Sequence, residues 1–429
     1  MQRLDVGSIV NAISDRDVRG ILEQEGLRQE RTISMLASEN MLPLDGLLAQ
    51  ASPIANKTVE GFPGHRYHAG AAWVDALERL CIDRGKELFA AGYANVQPHS
   101  GSQANQVVFN ALLDPGDRLL SMRLSDGGHL SHGAAINQSG KLYDVSSYGV
   151  DRETGLIDYD EFQRIARERR PKLIVAGGSA YPRIIDFKAM AAIAAETGAL
   201  LLVDMAHFAG QVAAGRYPNP VPLADVVSTT TYKSLRGPRG GMILSRSKRV
   251  GRLVDRSLFP GFQGTPAMHQ VAAKAICLGE ARQPAFGDYI ERALRLAAIC
   301  CSRLQADGFR LLTGGTDTTM VMVDLSREHF TGRAAAEALE RCGIIANQNA
   351  IPGDFRPPFE GSGLRLSTTA MAARGFDAAT AAPVFDVVCG VLDSLRRDRP
   401  IDVADALRRI ARLCDEHPAY AVNRQLEVA

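Results

Sequence analysis

The chain lacks any marked excess of charge: among its 429 residues 49 lysines and arginines stand against 48 aspartates and glutamates, for a net charge of +1. Without a basic surplus it has no electrostatic footprint for nucleic acid, and the cluster Arg396-Arg397-Asp398-Arg399 with Arg408-Arg409 reads as a solvated helix face. Long hydrophobic runs are missing as well. No stretch suggests a bilayer span and no signal peptide is recognisable, so neither a membrane nor a secretory route is expected and a cytoplasmic location is. Cysteine is sparse: seven residues, without CxxC spacing and with Cys300 and Cys301 adjacent, suit a reduced compartment. Tryptophan occurs once, at Trp73, and this residue and the 11 methionines read as core or interface positions. There is no repeat and no low-complexity tract.

What is present is a 46% hydrophobic content, enough at this length for a large core and two domains. Residues 1–30 read as an amphipathic arm and helix. Strand and helix patterns then alternate as far as about residue 280, which predicts a mostly parallel sheet covered on both faces. Beyond it a helix over 288–306, strand-like runs at 309–312 and 319–324, and helices near 333–342 and 379–396 predict a smaller α+β unit. The expected organisation is an N-terminal arm 1–30, a large domain 31–284 and a small C-terminal domain 285–429. By composition 351–358 is a loop near the cleft.

Chemistry concentrates in Ser228-Thr-Thr-Thr-Tyr-Lys-Ser-Leu-Arg-Gly-Pro-Arg-Gly-Gly241. Lys233 follows a buried strand expected over 223–231, at a strand end where open α/β sheets place ligands. A lysine that forms an imine needs a partly neutral nitrogen, which burial and nearby cations favour, and Arg236 and Arg239 could supply that field. A solvated lysine at a strand end would look similar. One βαβ step upstream, Ala199-Leu-Leu-Leu-Val-Asp-Met-Ala-His207 is a buried strand ending in a carboxylate and then an imidazole. A carboxylate there holds a pyridine nitrogen protonated, so Asp204 and Lys233 together describe a pyridoxal-phosphate site. His207 reads either as part of that site or as a structural histidine.

A third element, His99-Ser-Gly-Ser-Gln-Ala-Asn105, precedes a helix expected over 104–113. Small residues opening a helix leave N–H groups free for an anion, and Ser100, Gly101 and Ser102 could cradle a phosphate, although a plain N-cap has the same appearance. Two H-x-x-H pairs, His65 with His68 and His129 with His132, lie in glycine-rich loops with no further ligand spacing, so no metal is expected.

With these segments, Leu36-Ala-Ser-Glu-Asn40, Glu60-Gly-Phe-Pro-Gly64, Asp126-Gly-Gly-His-Leu-Ser-His-Gly133 and Phe259-Pro-Gly261, the chain resembles the serine hydroxymethyltransferase family from about Ser34 to Phe376. The resemblance implies the fold type I architecture of pyridoxal-phosphate enzymes, like aspartate aminotransferase: α/β, with a mostly parallel seven-stranded sheet and a smaller C-terminal α+β domain. It implies a homodimer or tetramer with active sites shared between subunits, acting on a small amino acid. It also implies roles. Lys233 carries the cofactor, Asp204 pairs with its ring nitrogen, His129 stacks on the ring, Ser100, Gly101 and Ser102 hold the phosphate, and Ser179, His207, Thr230 and Gly264 complete the cofactor site. Arg365, helped by Ser38, clamps the substrate carboxylate; Glu60 handles the hydroxymethyl oxygen, with Tyr67 beside it. Leu124, Gly128, Leu130 and Asn349 stand where the family contacts the pterin of tetrahydrofolate.

Thr58 and His68 depart from that pattern, each standing where the family has a tyrosine that crowds the substrate α-carbon. The lost bulk resembles the 2-methylserine hydroxymethyltransferase branch, and conversion of 2-methylserine to D-alanine with tetrahydrofolate as one-carbon acceptor is the favoured expectation. Ordinary serine/glycine chemistry and a folate-independent threonine-type aldolase or transaldolase remain alternatives. The retained lysine, aspartate and arginine argue against a non-enzymatic binding protein. Tyr232 replaces a histidine beside the lysine, and Thr265 replaces a glycine.

Overall fold

The computed structural model describes residues 6–420; residues 1–5 of the expected N-terminal arm lie outside the described residues. Aliphatic and β-branched runs build a seven-stranded sheet: β1 (Tyr93–Asn95), β2 (Arg118–Met122), β3 (Asp144–Tyr148), β4 (Leu173–Ala176), β5 (Leu200–Asp204), β6 (Val226–Thr230) and β7 (Gly241–Ser245), in the order β1-β7-β6-β5-β4-β2-β3. Pairing is parallel from β6 to β3 through β5, β4 and β2, while β7 runs antiparallel to both of its neighbours. This is the mostly parallel sheet expected from the alternating pattern.

Alternate residues of the central strands feed two different cores, as the two-residue period of a strand requires. Leu173, Val175, Leu202, Val226 and Ile243 pack with Phe109 and Val254 on one face. Ile174, Ala176, Leu201, Val203, Val227 and Met242 join the larger cluster on the other. Covered on both sides, β4 and β6 are buried along their whole length.

Helix Pro284–Ala306 leads to a four-stranded antiparallel sheet of β8 (Arg310–Leu311), β9 (Met320–Asp324), β10 (Asn347–Asn349) and β11 (Gly363–Ser367), in the order β8-β9-β11-β10. Helix Ala378–Arg396 packs on helix Pro284–Ala306. By length and composition alone it could cross a membrane, against the sequence expectation of no such run, but Val384, Phe385, Val388 and Leu392 are buried in the core of the fold.

Two further details depart from the sequence reading. Trp73, in the first turn of helix Ala72–Phe89, is 86% exposed, which removes the core placement and leaves the interface one of the two expected. Arg396 is not free on a solvated face; its guanidinium lies 3.7 Å from the Phe309 ring and pairs with Glu328 at 2.7 Å.

Candidate active site

The last residues of β5 and β6 and the turns that follow them form one wall of a cavity whose lining includes Ser100, Ser102, His129, Asp204, His207 and Lys233, together with Gly101, Ser179 and Thr230. Nine of the residues singled out from the sequence thus meet at one place, at the carboxyl ends of parallel strands.

The phosphate-like turn is sharper than the sequence suggested. Ser100 is the N-cap of helix Gly101–Leu112, its hydroxyl accepting the N–H of Gln103 at 3.0 Å, so the helix opens at Gly101 and not at Ala104. A Cβ on Gly101 would meet Thr230 Cγ2 at 2.7 Å, which keeps that wall of the cavity bare of side chain. The first N–H groups of a helix have no partner within it, and because Ser100, Gly101 and Ser102 line the cavity those of this helix start beside it, where they suit an anion.

Asp204 is buried. Burial alone would push its carboxyl up, but the hydrogen bond and charge of His132, the nearby His129 and the amide of Asn105 outweigh burial and hold it well below the usual carboxylate range. His132 Nε2 lies 2.9 Å from Oδ2, Asn105 Nδ2 donates to the same oxygen at 2.8 Å, and the Ala206 N–H donates to Oδ1 at 3.0 Å. Asn105 is itself oriented by Ser228, whose hydroxyl donates to Oδ1 at 2.6 Å. The result is a fixed anion suited to a protonated pyridine nitrogen.

Lys233 is also buried, and that burial is the main cause pulling its amine down to about 8; Asp204 opposes the shift, while Arg365 and Arg239 reinforce it. Arg236, offered from the sequence as part of the field, instead donates its Nε to the Met41 carbonyl and lies over the Tyr289 ring. His207 Nε2 sits 3.0 Å from Lys233 Nζ. Burial first, then Lys233 and Arg365, push the His207 imidazole well below its ordinary range, so it is neutral beside the lysine. His129 is lowered to about 4, chiefly by burial, and its Nδ1 accepts the N–H of Ser131 at 3.1 Å.

Arg365 comes from the smaller sheet to the back of the cavity wall at Ser179. It lies on β11 opposite Asn347, its Nη1 donates to the Ser179 carbonyl at 2.6 Å and its Nε to Asn347 Oδ1 at 3.2 Å. Burial lowers it to about 10. A half-buried guanidinium with no carboxylate among its hydrogen-bond partners in the described residues is suited to a substrate carboxylate.

Other residues from the sequence reading stand elsewhere. Ser38 lines a neighbouring cavity, together with Arg239 and with Tyr232, which borders both cavities. Thr58, Glu60, Tyr67 and His68 belong to a loop that does not line the Lys233 cavity; there the Tyr67 N–H donates to the Glu60 carbonyl at 3.2 Å and the Tyr67 ring is exposed against Phe259. Gly264 lies against Glu60, where an added Cβ would stand 3.0 Å from Oε1. Leu124 and Leu130 are exposed, Gly128 packs on the Met122 carbonyl, and Asn349 ends β10. Sequence reasoning missed His132 and Asn105. Both were inside quoted segments, but their work depends on a partner 72 and 99 residues away, which no local pattern carries.

Fold and cavity together fit the class of fold type I pyridoxal-phosphate enzymes: a buried lysine with a lowered amine, a fixed carboxylate and a helix N-terminus line one cavity. The family model described as serine hydroxymethyltransferase matches residues 12–388. The serine hydroxymethyltransferase of Rhodospirillum centenum is 50% identical over 412 residues, covering 95% of this chain and 96% of the relative. That of Psychrobacter sp. is 47% identical over 410 residues (96% and 98%), and serine hydroxymethyltransferase 1 of Pseudomonas aeruginosa 47% over 407 (95% and 97%). The chain belongs to the serine hydroxymethyltransferase family and is a pyridoxal-phosphate-dependent hydroxymethyltransferase, with tetrahydrofolate as co-substrate.

Proposed function

We propose that the chain moves a one-carbon unit between serine and tetrahydrofolate, with glycine as the amino-acid product. The observation that carries this is the meeting of Lys233 and Asp204 in one cavity, with Arg365 held against its wall at the Ser179 carbonyl, in a chain whose relatives are named for that reaction. Bound in the cavity, pyridoxal phosphate supplies an electron sink for the charge left on the substrate α-carbon.

The chain's own residues do the rest. Lys233 would provide the amine that holds the cofactor, and at neutral pH burial keeps a useful fraction of that amine unprotonated. Asp204, held ionised by His132 and Asn105, would keep the ring nitrogen protonated. Ser100, Gly101 and Ser102 would take the phosphate and His129 would cover the ring, while Ser179, His207 and Thr230 line the rest of the cavity. Arg365 would bind the substrate carboxylate and so orient the substrate α-carbon.

The acid–base part of the site is not in this cavity. Glu60, Tyr67, Thr58 and His68 stand on the loop outside it, with Gly264 beside Glu60. We infer a dimer in which this loop enters the partner's cavity, Glu60 handling the hydroxymethyl oxygen and Tyr67 supporting it, with Ser38 near Arg365 and Leu124, Gly128, Leu130 and Asn349 along the folate path. The separation of the loop from its own chain's Lys233 supports that arrangement.

A second reading of the donor, 2-methylserine giving D-alanine, is carried by Thr58 and His68, where loss of two tyrosines would leave room for a methyl on the α-carbon. The test is direct. Cofactor-loaded protein is given tetrahydrofolate with serine or with 2-methylserine, and glycine and D-alanine are quantified. Preference for serine supports the first reading, preference for 2-methylserine the second, and turnover of neither contradicts both. If the methyl occupies the space at Thr58, Thr58→Tyr overpacks it by ~1–3 kcal/mol. That corresponds to roughly ten- to a hundredfold slower 2-methylserine turnover with serine spared; an unchanged ratio removes the second reading.

A further inference from the structure

Lys274, on helix Met268–Glu280, is 1% exposed, and its ammonium hydrogen-bonds three backbone carbonyls: Val96 at 2.7 Å, Pro98 at 2.8 Å and Gly241 at 2.9 Å. An ammonium has three donors, so its capacity is filled, and no carboxylate is among its partners. Burying a charge without a counter-charge is costly, and a methionine would fill similar volume without that cost. The position of the three carbonyls gives the charge a purpose.

Val96 and Pro98 lie on the run from β1 into Ser100, and Gly241 is the first residue of β7. The two segments touch directly, since the Gly241 N–H donates to the Pro98 carbonyl at 2.8 Å and a Cβ on Gly241 would stand 2.3 Å from the Ser100 carbonyl. On the other side, the Gly240 carbonyl accepts the N–H of Thr231 at 3.2 Å, and the Thr231 hydroxyl donates to the Pro238 carbonyl at 2.6 Å, two residues before Lys233. A Cβ on Gly240 would meet Lys274 Cε at 2.3 Å and Nζ at 2.8 Å. One ammonium therefore clamps the turn that opens helix Gly101–Leu112 to the turn that carries Lys233.

We propose that Lys274 is a positioning residue whose ammonium sets the spacing between the phosphate turn at Ser100–Ser102 and the cofactor-bearing Lys233. The inference rests on the reading of the cavity given under the proposed function. A cofactor held at two points is sensitive to the distance between them, and one held only by the lysine is not. Pyridoxal, which lacks the phosphate, is the matching probe.

The experiment measures the affinities of pyridoxal phosphate and pyridoxal for wild-type and Lys274→Met protein. The expected result is a tenfold or larger loss for pyridoxal phosphate with pyridoxal changed by less than twofold. Equal losses for both, or none, overturn the proposal. Gly240→Ala presses on the same ammonium without removing it and should show the same selective loss. If neither variant folds, hydrogen exchange on the wild type decides: the amides of Gln103 and Gly241 should gain protection together on loading with pyridoxal phosphate and not with pyridoxal, and independent behaviour overturns the proposal. A wild type that takes up neither compound defeats the cavity reading itself, whereas a wild type and variants that load alike defeat only the role of Lys274.

Discussion

The depressed amine of Lys233 has a kinetic signature. An ordinary lysine has a pKa of 10.5, and burial, with help from Arg365 and Arg239, lowers this one to about 8. At pH 7 roughly one molecule in ten then carries a neutral amine, against about three in ten thousand for an ordinary lysine, a gain of about 300-fold in the reactive form. The rate at which cofactor-free protein captures pyridoxal phosphate, followed by absorbance, should rise about tenfold per pH unit up to about pH 8 and then level off. Arg239→Gln should move the break upward by less than about one unit, because Arg239 is exposed and its field is screened by water. A rate that keeps climbing to pH 10 without a break would show that burial does not tune this lysine.

His132→Leu should cost about 1–3 kcal/mol of stability in urea unfolding, because it strips a buried carboxylate of a hydrogen bond; an unchanged midpoint contradicts the role given to His132. Asp204 is held below its ordinary 3.8, so its stabilisation is complete above about pH 4 and is lost as pH falls through the lowered value. Asp204→Asn should accordingly flatten the acid limb of the stability curve below pH 4, and an unaltered limb would argue that the carboxylate is not held ionised. Mixing two inactive proteins, Lys233→Ala and Glu60→Gln, should restore part of the activity in hybrid dimers. A fully active monomer by light scattering would contradict the shared site.

Much of the large sheet was legible because its strands carry unmistakable local signals: Leu173–Ala176 and Val226–Thr230 are aliphatic or β-branched runs buried on both faces. The cofactor-side residues were legible for a related reason, since each sits at a strand end or helix start marked by a change of composition. Helix starts were less accurate where a cap decides them. Ser100 moved one helix three residues earlier through a single side-chain hydrogen bond. Contacts between distant segments were not legible at all: the His132 and Asn105 clamp on Asp204, the reach of Arg365 to the Ser179 carbonyl across 186 residues, and the outward face of Trp73 all depend on tertiary packing. The same is true of Arg236 and Arg239. Equivalent by composition, they are separated by backbone geometry, Arg236 adopting a positive φ of 59° and turning toward Tyr289 while Arg239 stays near Lys233.

The most direct test of the central claim is chemical. Protein loaded with pyridoxal phosphate is reduced with borohydride, digested and mapped by mass spectrometry. The account predicts that the cofactor is fixed on Lys233, in the peptide that follows β6, and that Lys233→Ala protein carries none. Fixation on another lysine such as Lys274, or no fixation in loaded protein, would contradict it.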